Sequence, residues 1–368
     1  MQDCCQQYLS LEINSRLFHE DSFLARLARL RLSMTLSIFL VSTIFAVFLM
    51  AVIFILNLPL IWGLFATLLI LVLQYLIGPA IVKGSTHLRY LRSGENPWLD
   101  SKVSELSQKS GIPTPKLAIV PEETPNAFVF GRTTSSATLA LHEGLLRKLN
   151  KDEVEAVIGH ELGHIKHKDY LVVTMLSALP LLAYWISWGA FEAARWGGRS
   201  SRDRKARGLA AVLFAVTLIS YVVYIVTLLC VMGLSRMREH YADSYSAYLT
   251  GQPRQLQSAL AKITYNLSLS PRPTTGARSF YISDPAMAKQ ESKRIIERGD
   301  EYDLDRDGVL DEKELQLAMA KEAKSTWTTI NKWFSTHPPA FKRILLLKEI
   351  EKEMETGSFS SKRIYAHI

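Results

Sequence analysis

Residues 160–164 read His160-Glu161-Leu162-Gly163-His164, and six positions later the chain enters Tyr170–Phe191, a run without a single charged residue. Two histidines four apart on a helix project from one face, so both imidazoles reach the same metal ion. Zinc takes imidazole nitrogen readily, and a site with three protein ligands leaves a fourth position for water. Glu161, beside the first ligand, is placed to act as base and acid toward that water. The competing reading of the pentapeptide alone is a helix whose histidines hold no metal. The surrounding chain decides between them.

Of the 368 residues, 48% are hydrophobic, and their distribution matters more than their number. Met34–Leu56, Leu58–Val82, Tyr170–Phe191 and Leu209–Leu234 carry no charge. At about 1.5 Å per residue each is long enough to cross a hydrocarbon core of about 30 Å. The expected class is therefore a mainly α, multi-pass membrane protein with four transmembrane helices. The leader before the first run is polar, and no small-residue cleavage site follows Leu56, so no secretory signal is expected. The net charge of +8 is assigned to membrane flanks (Arg26, Arg29, Arg31, Arg89, Arg92 and the loop 195–208) and not to nucleic acid. Cys4, Cys5 and Cys230 form no disulfide framework or zinc knuckle, which suits soluble parts facing a reducing interior. Nothing in the sequence specifies an oligomer.

The order along the chain follows. Residues 1–33 become amphipathic through Phe23, Leu24, Leu27 and Leu30, as a helix on the membrane surface would. Residues 34–82 read as a first transmembrane hairpin turning at Asn57-Leu58-Pro59, with arginines outside it placing both its ends in the cytoplasm. Residues 83–169 read as the first part of a catalytic domain. Within it, Trp98–Ser110 is an expected helix stopped by Gly111. Lys116–Val120, Ala127–Phe130 and Ala137–Leu141 are expected strands of a small antiparallel sheet. Asn150-Lys151-Asp152-Glu153 then starts the helix that bears the pentapeptide. Residues 170–234 form a second hairpin, and 235–368 return to the catalytic domain. The loop 195–208 has six basic residues against one aspartate, which opposes a full crossing by both later runs. Tilted or incompletely inserted helices, or an orientation dominated by the first hairpin, would resolve the conflict.

A zinc site needs a third ligand. His167 shares a face with His160, but seven helical residues separate them by about 10 Å, too far for one ion. His142 and Glu143 follow a strand-like run and make weaker candidates. Directly after the fourth apolar run, Glu239 and Asp243 stand four apart on one helix face. Glu239 can bind the metal while Asp243 accepts the free N–H of a ligand histidine and fixes its tautomer. The third and fourth runs would hold the two ligand helices side by side at one membrane surface.

Five pieces in order, Asn126-Ala127-Phe128, Leu145-Leu146, the pentapeptide, Ser235-Arg236-Met237-Arg238-Glu239-His240-Tyr241-Ala242-Asp243 and Ser335-Thr336-His337-Pro338-Pro339, give the chain its likeness. It resembles the HtpX-like membrane zinc metalloproteases, gluzincins related to the CAAX prenyl endopeptidases. The resemblance implies a zincin-like catalytic domain, with His160, His164 and Glu239 as zinc ligands and Glu161 activating water. It also implies that Asn126, Ala127 and Phe128 begin an edge strand along which an extended substrate lies, recognised through its backbone. His337 is implied near the cleft, either donating to the developing oxyanion or starting a helix with no part in the chemistry. Expected partners are membrane-protein or peptide substrates, exposed at the cytoplasmic face of the cell membrane, and the lipid bilayer itself. A prenyl-substrate endopeptidase shares the ligand set, but four spans favour the quality-control branch.

One stretch departs from the family pattern. Within an insert at about 286–330, Asp303-Leu304-Asp305-Arg306-Asp307-Gly308-Val309-Leu310-Asp311-Glu312-Lys313-Glu314 matches an EF-hand loop. Asp303, Asp305, Asp307, Asp311 and Glu314 would supply side-chain oxygens, Val309 its carbonyl, and Gly308 the turn. The expected cofactors are thus a catalytic zinc and a calcium that tunes access to the cleft. A rival from another class is a calcium-responsive membrane sensor with a vestigial protease fold. It requires a lost ligand or base, and none is lost.

Overall fold

The computed structural model describes residues 32, 35–36, 39–54, 59–199, 204–268, 293, 301, 335 and 337–360. The segment 1–31, the acidic loop 303–314 and Thr336 lie outside the described residues, and with them the expected surface helix and calcium site.

The apolar runs form helices α1 (Phe39–Phe54), α2 (Leu60–Thr86), α6 (Asp169–Arg199) and α7 (Arg204–Thr250). Val41, Phe45 and Phe48 of α1 pack with Leu179 and Ala183 of α6 and with Val216, Val231 and Leu234 of α7. Outside this seam the helices present Phe39, Phe54, Ile61, Phe65, Leu68, Trp185, Phe214, Leu218 and Val222 to the surroundings. A patch of this extent marks a contact surface and not a water-facing one. Among the described residues, the helical segment Gly208–Thr250 is both long and apolar enough to cross a bilayer, while Phe39–Phe54 is apolar but shorter. The fourth expected run is therefore a span by this measure among the described residues.

The remaining elements build the part that holds the site. Asn96 caps α3 (Pro97–Ser110), and Gly111, at φ 63°, ends it in the left-handed conformation. Asn150 and Glu153 exchange backbone hydrogen bonds in a capping box that starts α5 (Lys151–His167). Lys168, at φ 58°, separates α5 from α6 by a single residue. Two further helices, α8 (Pro253–Ser268) and α9 (Ala340–Glu355), pack against one another, and α4 (Glu143–Lys148) is a short turn.

The sheet corrects the expectation. It is mixed, in the order β1 (Arg89–Tyr90), β2 (Lys116–Val120), β4 (Thr138–His142), β3 (Ala127–Phe130). The chain leaves β2, runs past the place β4 will take, and returns as β3 at the far edge. The turn at 131–137 then feeds β4 into the gap, antiparallel to β3 and hence parallel to β2. Alternation serves both faces. Ala127 and Val129 enter the main core with α5, and Phe128 and Phe130 enter a smaller cluster with Leu88 and Ala140, bordered by Val82 of α2.

Packing of α5 on α7 brings the two ligand segments together. Gly159 and Gly163 lie where α7 approaches closest. A Cβ on Gly163 would stand 3.3 Å from the Cα of Ala242, and one on Gly159 3.0 Å from Ser246 Oγ. Ser246 Oγ donates to the Ala156 carbonyl at 2.6 Å across this buried seam.

Candidate metal centre

His160 and His164 rise from one face of α5, their rings edge-on at 89° with centroids 4.8 Å apart. Facing them, α7 runs without a break from the apolar segment ending at Leu234 to Glu239 and Asp243. His160 Nε2 and His164 Nε2 are 3.2 Å apart. Glu239 Oε2 is 3.5 Å from the first and Glu239 Oε1 3.4 Å from the second. No other combination of three His, Cys, Asp or Glu among the described residues offers such a cluster.

These spacings can be tested against zinc. Four donors placed tetrahedrally at about 2.0–2.1 Å from the ion stand about 3.3 Å from one another. The two imidazole nitrogens stand at about that spacing, and each has a different oxygen of Glu239 within 3.5 Å. The two Nε2 atoms face each other, so a cation between them can take a lone pair from each. The residues present fit the ion.

Around the donors lies a charged frame that the pentapeptide does not announce. Asp243 Oδ1 is 3.0 Å from His160 Nδ1, the nitrogen turned away from the donor cluster. Arg343 of α9, fully buried, grips Asp243 through Nε to Oδ2 at 2.8 Å and Nη2 to Oδ1 at 2.7 Å. Its Nη1 is 3.2 Å from Glu239 Oε2, and its Nη2 is 3.5 Å from His160 Nε2. Despite the cost of burial, the two carboxylates hold the guanidinium charged. Glu239 and Asp243 thus bring two negative charges and Arg343 returns one, leaving a net negative pocket for a dication.

Glu161 is buried beside the ligands. Burial lifts its carboxyl above the ordinary carboxylate range, against the pull of His164 and His160. His337 is also buried, its Nε2 3.5 Å from Glu239 Oε1. Arg236 Nη1 donates to the Ser335 carbonyl at 2.6 Å, and Ser335 Oγ to the His337 carbonyl at 2.7 Å, so α7 clamps the segment that carries His337. The histidines set aside in the sequence lie elsewhere. His167 lies against Tyr241 with ring centroids 3.8 Å apart and planes tilted by 58°. His142, at the end of β4, meets the Thr124 carbonyl through Nδ1 at 2.9 Å, and burial lowers its pKa to about 4.

Asn126, Ala127 and Phe128 are buried and lie at the terminal strand of the sheet, with no further strand beyond β3 among the described residues. The His142 amide donates to the Asn126 carbonyl at 3.0 Å, which makes that pair hydrogen-bonded. By alternation Phe128 and Phe130 also face β4, and the backbone groups of Ala127 and Val129 point outward. β3 packs against α5 and touches α6, which puts this edge beside the histidine helix.

Arg343 is the residue that sequence reasoning missed. Its signal was a position: Ala340, Arg343, Leu347 and Ile350 recur at helical spacing as the buried face of α9. An arginine on that stripe asks for a buried anion, and Asp243 supplies it.

The sequence profile of peptidase family M48 matches residues 93–351. A protease HtpX homolog from Methanothermobacter thermautotrophicus is 40% identical over 213 residues, covering 56% of this chain and 75% of the relative. Another, from Aeropyrum pernix, is 33% identical over 289 residues, covering 77% of this chain and 84% of the relative. Among solved structures, the crystal structure of S. mikatae Ste24p superposes with a TM-score of 0.46 at 16% identity, spanning 86% of this chain and 64% of that one.

Proposed function

The chain belongs to peptidase family M48, a family of zinc metallopeptidases, and from that premise we propose a membrane-embedded endopeptidase that cleaves misfolded or damaged membrane proteins at the cytoplasmic face. What supports this reading most is the convergence of His160, His164 and Glu239 as one cluster of metal-ligand groups, with Glu239 five residues beyond the apolar part of α7. We place α1, α2, α6 and α7 across the bilayer, with their basic flanks at its surfaces.

Zinc, when bound, polarises the scissile carbonyl and makes water more acidic. Glu161 takes a proton from the attacking water and gives it to the leaving amine, and a carboxyl raised by burial suits both halves of that exchange. Asp243 holds the proton on His160 Nδ1, which keeps Nε2 a lone-pair donor. Arg343 fixes Asp243 in turn. His337, buried beside Glu239, is the group we assign to the developing oxyanion. The outward backbone groups of Ala127 and Val129 bind extended substrate by strand addition, which tolerates many side chains.

The decisive experiment is a casein cleavage assay with and without chelator, beside measured zinc content. Glu161→Gln keeps zinc and loses cleavage, whereas His160→Ala loses both. A fully active Glu161→Gln protein would refute the mechanism. Calcium modulation belongs to the proposal on motif alone, through Asp303, Asp305, Asp307, Val309, Asp311 and Glu314. An unchanged hydrogen-exchange pattern and rate at saturating calcium would remove it.

A further inference from the structure

Two independent tethers fix how deep the substrate edge sits relative to the apolar helices. The first is α7 itself. Leu209–Leu234 is uncharged, and Glu239 follows five residues later in the same unbroken helix, about 7.5 Å along its axis. The second joins the far end of β3 to α2. Arg132, two residues past Phe130, donates from Nη2 to the Leu76 carbonyl at 2.6 Å, and Tyr75 Oη lies 3.4 Å from the Arg132 carbonyl. Leu76 is seven residues before Lys83, the first charge after the uncharged run Leu58–Val82. The Arg132 side chain therefore meets α2 about 10 Å along its axis from the first charged residue and ties the turn after β3 to the apolar stretch of that helix.

The local chemistry suits that depth. Pro79 lies inside α2 and has no N–H for the Tyr75 carbonyl, one residue before the Leu76 carbonyl that Arg132 meets. In the turn, the Thr133 hydroxyl accepts from the Ser136 amide at 3.2 Å and the Ser136 hydroxyl from the Thr133 amide at 3.0 Å. Internal bonds of this kind lower the cost of irregular backbone near hydrocarbon. The edge strand thus points its Phe130 end at the bilayer and its Asn126 end away from it.

Resting on the assignment of β3 as the substrate strand, we infer that the site takes the polypeptide immediately flanking a transmembrane helix. The flank enters β3 from its Phe130 end. Four strand residues span about 13 Å, so a chain leaving the hydrocarbon at Phe130 passes the metal ligands within its first ten or so residues. Distance from the membrane, more than side-chain identity, selects the bond that is cut.

The test uses the full-length protein in phosphatidylglycerol–phosphatidylethanolamine vesicles. The substrate has one transmembrane helix followed by two tandem copies of the same unstructured segment of about twelve residues, so that sequence preference cancels and only distance differs. Cleavage sites are mapped by mass spectrometry. The proximal copy is expected to be cut at least about tenfold more often than the distal one, a difference worth ~1.4 kcal/mol or more. The soluble tandem peptide without the helix is expected to be cut equally in both copies. Arg132→Gln is expected to lower the proximal-to-distal ratio, a quantity that does not depend on overall rate. Equal cutting of the two copies in the anchored substrate, with casein still hydrolysed, would overturn the inference and leave the peptidase reading standing. No cleavage of casein or either tandem substrate would overturn that reading and the inference with it.

Discussion

Replacing Arg343 by Met tests whether the buried frame of the site is held by charge. The side chain is fully buried and makes two short hydrogen bonds to Asp243 and an ion contact to Glu239. Methionine fills much of the same space, so the change removes charge with little cavity. Two buried carboxylates then lose their counter-charge, and breaking a buried pair from one side costs about 3–5 kcal/mol. In a domain of this size each kcal/mol lowers Tm by about 2–4 °C, so the metal-free protein should melt about 6–20 °C lower. Zinc brings its own two positive charges to Glu239, so the loaded protein should lose less and the gap between the two forms should widen. The assay is thermal unfolding in detergent at one fixed scan rate, with chelator and with zinc. A cycle with Asp243→Asn should show coupling of about 2 kcal/mol, because both single changes break the same pair. If metal-free Arg343→Met melted within about 2 °C of the parent, the guanidinium would not be holding the site, and the frame described above would be wrong.

Two further predictions concern the substrate edge and the residue that anchors it. Val129→Pro removes one outward N–H without touching the β3–β4 ladder, and proline is tolerated at sheet edges. It should raise KM about 2- to 10-fold with kcat unchanged, as expected for one hydrogen bond of about 0.5–1.5 kcal/mol, and an unchanged KM would remove β3 from substrate binding. His142 titrates at about 4 in the folded chain because it is buried, against about 6.5 unfolded. The unfolded state therefore binds the extra proton between those values. Stability from His142 is fully present above pH 6.5 and is lost as pH falls toward 4, by up to about 3 kcal/mol. A His142→Asn protein should show a flatter fall in Tm over pH 6.5–5 than the parent, and parallel curves would contradict the burial argument.

What the sequence made legible was what one segment encodes by itself. The capping box at Asn150 and Glu153 needs four consecutive residues, and α5 begins there. The facing of His160 with His164, and of Glu239 with Asp243, needs only helical spacing, and the structure sets the two pairs against each other. The strand order escaped the sequence because β2, β3 and β4 are short apolar runs whose neighbours are chosen by packing on α5. Nothing in Lys116–Val120 says that its partner is Thr138–His142 and not the nearer Ala127–Phe130. Arg343 escaped for a related reason, since its partner Asp243 lies 100 positions away.

The same contrast explains why Glu239 sits on α7 and its restraint on α9. A glutamate on a helix continuous with a long apolar segment is held in height by that segment, but its rotamer is free. Fixing the rotamer takes a contact from outside the helix, and a carboxylate beside two histidines repels any second acid brought near. A cation is the one restraint compatible with that charge, and arginine alone offers a fork wide enough to reach Glu239 and Asp243 together. Pro338 and Pro339 start α9 one turn before Arg343, immediately after the segment clamped by Arg236, so the fork arrives at a fixed height along α7. Lysine at 343, with a single charged nitrogen, would hold one carboxylate and release the other. Arg343→Lys should therefore keep more of the stability than Arg343→Met while still loosening the metal site.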